Sequence, residues 1–146
     1  MATCINLHTE IKIDGEWHHY GNPSLGHPYR LFAKMAGVRI EDEDDITPIA
    51  EPRGLPGGTS VITDLDSNRT MDYSHSHSYL DASEIAELEI WFKEDHMKKN
   101  PEVLVFNPET LWGFLLGDSW GSFTLKKKKH RREGLEDIRF VFWFED

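Results

Sequence analysis

Asp137-Ile138-Arg139-Phe140-Val141-Phe142-Trp143-Phe144 is the stretch on which the fold turns. Ile138, Phe140, Phe142 and Phe144 fall on one side of an extended chain, because successive side chains of a strand point to opposite faces. Val141 and Trp143 fall on the other side, and they are apolar as well. A strand with one wet face alternates apolar with polar. One that is apolar on both sides predicts a central place in a sheet, or cover on both faces. The rest of the chain must therefore supply neighbouring strands and packed layers.

The N-terminus offers the neighbours. Thr3–Ile13 has Ile5, Leu7, Ile11 and Ile13 at period two, interrupted by Thr9, which predicts a strand. Asp14-Gly15 is a strong two-residue hairpin signal, since both turn positions need positive φ. Trp17–Tyr20 is then the antiparallel return. Trp120–Leu125 is a candidate hairpin partner for the tail, across the basic run Lys126–Arg132.

Helical periods supply the layers. Leu31, Phe32, Met35 and Ala36 share one face of Tyr29–Val38, and Gly37 is a stop signal. Asp81, with Glu84 three positions on, forms a capping box ahead of a stripe of Ile85, Leu88, Trp91 and Phe92. Pro108–Leu116, with Asn107 as N-cap and Gly117 beyond its end, predicts another short helix. Glu41–Asp45 is an acidic loop. The expected fold is a single α+β domain over residues 1–146: a small antiparallel sheet packed with two or three helices. Between them, Pro48–Ser78 holds three Pro and three Gly and is expected to be a long irregular region, the kind that carries function.

Composition narrows the function. At 146 residues the chain can bury a core without disulfides, and its one cysteine, Cys4, can form no intrachain bond. That, with no signal-peptide pattern at the start, predicts a cytosolic protein, and no apolar stretch approaches the ~20 residues a membrane helix needs. A formal charge of −10 argues against general nucleic-acid binding. Six of the sixteen Lys and Arg sit in Lys126–Arg132, so elsewhere ten basic residues face 26 acidic ones. The basic run is most simply a solvated hairpin end. Five Trp and eight Phe suit a ligand site or a homo-oligomer interface as well as a core.

Four ordered segments carry a resemblance. They are Tyr29-Arg30-Leu31-Phe32-Ala33-Lys34-Met35-Ala36-Gly37-Val38-Arg39, Pro48-Ile49-Ala50-Glu51-Pro52-Arg53-Gly54-Leu55-Pro56, His75-Ser76-His77-Ser78-Tyr79-Leu80 and the Asp137–Phe144 strand. Together they resemble a family of small, mostly uncharacterised bacteriophage-encoded proteins. In that family a Gly often precedes the His-Ser-His-Ser run, where Ser74 stands here. The resemblance implies a small accessory protein in the host cytosol, of a kind that often counters host defence. Some such proteins are sponges, which bind nucleotide second messengers of bacterial immunity without cleaving them.

Particular residues can carry such binding. Arg53 lies between Pro52 and Gly54, with Pro56, Gly57 and Gly58 beyond, so a guanidinium is offered on a stiffened loop with approachable amides. It either holds a phosphate or carboxylate through charged hydrogen bonds, or pairs with Glu51 or another acidic neighbour. His75 and His77 are two apart, which on a regular strand puts both imidazoles on one face, with Ser76 and Ser78 as further donors. Arg30 begins a helix, where a cation opposes the dipole, and is a second candidate for an anion. Arg39 lies at that helix's other end, and Tyr79 is an aromatic that can stack on a base.

Three functions compete. The first is sequestration of a small anionic, nucleotide-like ligand such as a cyclic nucleotide by Arg53, His75, His77, Ser76, Ser78, Arg30 and Tyr79, with no chemistry and no cofactor. The second is a metal-dependent phosphodiesterase or hydrolase with His75 and His77 as ligands, completed by Asp72 or by a distant residue such as His8. The third is an acidic inhibitor that binds a host protein. Two-histidine phosphodiesterases carry their motifs on separate strands, unlike the consecutive run here. Ser76 lacks the strand-turn-helix glycine setting of an exposed nucleophile.

Overall fold

The computed structural model describes residues 2–22, 28–41, 45–99 and 135–146. Four strands and three helices are formed by these residues: β1 Cys4–Ile13, β2 Glu16–Gly21, α1 Tyr29–Ala36, α2 Val61–Thr70, β3 Ser74–Asp81, α3 Ala82–Lys99 and β4 Leu135–Glu145. The Pro108–Leu116 helix, the Trp120–Leu125 strand and the Lys126–Arg132 run lie outside the described residues. No helix among the described residues is long and apolar enough to cross a membrane.

The strands form one antiparallel sheet in the order β2-β1-β4-β3. The C-terminal strand is thus central and flanked on both sides, as its two apolar faces require. β1 pairs with β4 from Cys4 opposite Glu145 to Ile13 opposite Leu135. Asp14 and Gly15 both take positive φ, 52° and 79°, and turn β1 into β2.

The two faces are covered differently. Ile138, Phe140, Phe142 and Phe144 meet Leu31, Phe32, Met35 and Ala36 of α1 and Ile85 and Leu88 of α3 in one apolar core. Phe32 stands edge-on to Phe144, with ring centroids 5.1 Å apart. α1 ends at Gly37, whose φ of 73° is the left-handed conformation a helix stop demands. The opposite face carries Arg139, Val141 and Trp143 of β4 beside His8 and Glu10 of β1, and α2 lies over it.

The capping box at α3 forms as the sequence implies. Asp81 Oδ1 accepts from the Glu84 amide at 2.9 Å, and Glu84 Oε1 accepts from the Asp81 amide at 3.0 Å. Asp81→Ala is expected to cost about 0.5–2 kcal/mol. Urea denaturation followed by circular dichroism measures it.

The region Pro48–Ser78 is irregular as expected only over Pro48–Ser60; about half of it, α2 and the start of β3, is ordered secondary structure. Ser60 caps α2, its Oγ accepting from the Thr63 amide at 3.3 Å, and β3 begins at Ser74. The reason is that α2 buries Thr63, Ser67 and Thr70 while leaving Val61, Ile62 and Leu65 exposed. A search for an inward apolar stripe passes over such a helix.

Candidate functional site

β3 contains the residue on which the site depends. His75 pairs with Phe144 and Ser78 with Phe142, so β3 spends one residue more than β4 between these pairs. That extra residue is a β-bulge, and Ser76 within it has φ of 57°. Side-chain alternation is reset there. The ring of His75 lies over Phe144, with centroids 6.2 Å apart, and the ring of His77 lies over Trp143, at 5.5 Å and an interplanar angle of 19°. Phe144 and Trp143 are consecutive and face opposite ways. The expectation that both imidazoles share a face is therefore corrected: the bulge sends them to opposite sides of the sheet. No group of His, Cys, Asp or Glu among the described residues is arranged to hold a metal ion, and Asp72 does not join the two histidines in one.

His75 opens onto a cleft of about 460 Å³, bounded also by Thr3, Gly37, Val38, Arg39, Ser76 and Asp146. Its Nδ1 lies 2.9 Å from Ser76 Oγ, and its Nε2 is 3.2 Å from Asp146 Oδ2, an ion-pair distance without hydrogen-bond geometry. Thr3 Oγ1 donates to Asp146 Oδ1 at 2.8 Å. This bond first, and His75 second, hold the Asp146 carboxyl below the usual range. Across the cleft, Arg39 has φ of 63° and its guanidinium carbon stands 4.4 Å from the Tyr29 ring centroid. A hydrogen bond with Arg39 lowers the Tyr29 phenol from its ordinary value, helped by the Thr3 amide, which donates to Tyr29 Oη at 3.1 Å. The cleft thus offers a guanidinium, an imidazole and a hydroxyl on its walls, with one carboxylate among them.

Arg53 and Arg30 make their contacts outside this cleft. The Arg53 guanidinium lies 4.1 Å from the Tyr79 ring centroid, donates to the Tyr79 carbonyl at 2.6 Å, and pairs with Glu84 in the first turn of α3. The bond to Glu84 raises Arg53 above its ordinary value. Its own amide reaches Ser78 Oγ at 3.4 Å, and Gly54 N donates to His77 O at 2.8 Å, so this loop lies along the open edge of β3. Arg53, Ser78 and Tyr79 therefore do come together, as a brace between loop, strand and helix. Arg30 makes a two-pronged contact with Asp95, at 3.0 and 2.6 Å, which ties α1 to α3.

Comparison with protein-family models, with curated proteins and with solved structures returns no match to this chain. The site rests on its own geometry.

Two groupings are not assembled by the sequence: Arg39 with the cleft, and His8 with His19 and Asp66. Arg39 follows a helix-stopping glycine, and a cation just beyond such a stop is a signal that was available. The second group is buried beneath α2. His8, 1 % exposed, has Nε2 2.7 Å from Asp66 Oδ2 and Nδ1 2.9 Å from His19 Nε2. The Asp66 carboxylate can only accept, so His8 Nε2 carries the proton between them. Burial first, and repulsion from His8 second, push His19 below its ordinary value. Burial opposes ionisation of Asp66, yet the hydrogen bonds from Arg69 and His8 outweigh it and lower its value. Trp143 is stacked on one side by His8, at 5.2 Å, and on the other by His77. Burial, then the neighbouring His75, lower His77 as well. These contacts fasten α2 to the sheet. Only the fold brings their members together, from positions 8, 19, 66, 77 and 143.

Proposed function

We propose that this protein binds a small anionic, nucleotide-like molecule in the cleft between Arg39 and His75 and sequesters it without chemistry. The observation that carries the reading is the convergence of Arg39, His75 and Ser76 on one cleft of about 460 Å³. That volume suits a small molecule, and a few convergent polar groups on a shaped wall are what such sites use for orientation. The guanidinium and the imidazole suit a phosphate, and Asp146 suits an amino donor on the same ligand, as a nucleobase provides. In an acidic chain such local donors have to overcome the long-range field, which favours a ligand that is held by direct hydrogen bonds. The resemblance to phage accessory proteins extends this to an anti-defence sponge acting in the host cytosol on an immune messenger.

The test is thermal shift and calorimetry with cyclic dinucleotides and ADP-ribose derivatives. At least one is expected to stabilise the protein, and Arg39→Ala should weaken it about 10- to 150-fold, the worth of one charged hydrogen bond. Arg53→Ala, which removes a brace outside the cleft, should lower the melting temperature and leave affinity unchanged. Recovery of the intact ligand from denatured protein supports sequestration; recovery of a cleaved product, or no binding by any member of the panel, overturns it.

A further inference from the structure

Helix α2 is inside out with respect to the usual pattern. A helix on a domain surface turns its apolar stripe to the core and its polar side to water. α2 instead sets Thr63, Ser67 and Thr70 against the sheet, because the face beneath it is polar. Glu10 accepts from the Thr63 hydroxyl at 2.8 Å, and His8 meets Asp66. The apolar residues are left pointing out: Val61 is 72 % exposed, Ile62 54 % and Leu65 65 %. Single exposed apolar side chains are ordinary. Leu65 lies four positions from Val61 and three from Ile62, the spacings that bring helix side chains together, so the three make a continuous strip. Met71 and Tyr73, in the turn that follows, are exposed too.

The charges around the strip are acidic. Asp64 and Asp72 are exposed, and Glu145 lies within electrostatic reach of Arg69. The one guanidinium on the helix, that of Arg69, is already bonded to Asp66 at 2.8 Å. We infer that the outer face of α2 is a docking surface for an amphipathic segment of another protein whose apolar stripe is flanked by Lys or Arg. Charge complementarity selects this occupant. A second copy of a chain with formal charge −10, paired face to face, sets like carboxylates against one another. An anionic lipid surface is repelled for the same reason.

The experiment uses fluorescence anisotropy with a labelled peptide of about 15 residues, long enough for helix to form on binding. Leu is placed at helical spacing and Lys elsewhere; a scrambled peptide of equal composition is the control. The patterned peptide is expected to bind at least about tenfold more tightly than the scrambled one, since only it presents a stripe. The double variant Ile62→Ser, Leu65→Ser changes no charge and should weaken binding about tenfold or more, while circular dichroism and the urea midpoint stay close to the parent. Equal affinity for both peptides reduces the effect to bulk charge and overturns the inference. So does an unaffected double variant, α2-dependent dimerisation by light scattering, or α2-dependent binding to phosphatidylserine vesicles.

Discussion

Glu10→Ala is expected to lower the unfolding free energy by about 3–5 kcal/mol, the cost of removing one member of a buried ion pair. Glu10 is 0 % exposed and Arg139 6 %. Arg139 Nε donates to Glu10 Oε1 at 2.9 Å, while Glu10 Oε2 accepts from the Ser60 amide and the Thr63 hydroxyl, each at 2.8 Å. One carboxylate therefore neutralises the guanidinium and also satisfies the first turn of α2. Without it, Arg139 keeps the Gly57 carbonyl at 3.1 Å and the face of Trp17, 3.9 Å from the ring centroid. Neither cancels a buried charge. Urea denaturation measures the loss, and hydrogen exchange should show the α2 amides opening first. A double variant Glu10→Met, Arg139→Met should recover part of it, because the orphaned cation is gone. If Glu10→Ala costs less than about 1 kcal/mol, as exposed pairs do, the pair does not hold α2.

The same carboxylate predicts a pH dependence. Burial works against its ionisation, but the bonds from Ser60, Thr63 and Arg139 outweigh it and set its value below that of an ordinary glutamate. A group whose folded value is depressed contributes stability that is present above its unfolded value and lost as pH falls through the folded one. The gap in stability between parent and Glu10→Gln should thus be constant above about pH 5 and shrink below it. Asp66, Asp81 and Asp146 are lowered too, so the parent as a whole should lose stability in acid.

Phe142→Ala is expected to cost about 3–5 kcal/mol, a large part of the 5–15 kcal/mol that holds a typical domain. Phe142 is fully buried at the centre of β4 and meets Phe144 edge-on at 5.8 Å, in a core closed by α1 and α3. The substitution leaves a cavity between a sheet and two helices that share their packing, so collapse is limited. On the opposite face the outcome differs. Trp143 is as deeply buried, but its Nε1–H has no acceptor among the described residues. Trp143→Phe removes an orphan donor worth about 1–3 kcal/mol, offsetting much of the lost ring area. Its measured loss should be less than half that of Phe142→Ala. Equal losses would mean that the indole N–H is satisfied in solution.

What was legible in sequence was local. The double apolar alternation of β4 required neighbours and cover, and it has both. Asp14-Gly15, Gly37 and the Asp81–Glu84 box each act within four residues, so the turn, the helix stop and the cap follow from adjacent side chains alone. How the candidate site is arranged was decided at a distance. The cross-strand register at Phe142 and Phe144 makes Ser76 a bulge and parts His75 from His77, although their spacing promises one face. Arg53 is bound by Glu84, 31 residues away, and Glu10 by Arg139, 129 residues away. The side of α2 that faces in is set by the polar face beneath it, so its periodicity points outward. Backbone preference and capping are properties of neighbouring residues. Register, charge pairing and the sidedness of a helix belong to the partner across the gap, and only the folded chain supplies that partner.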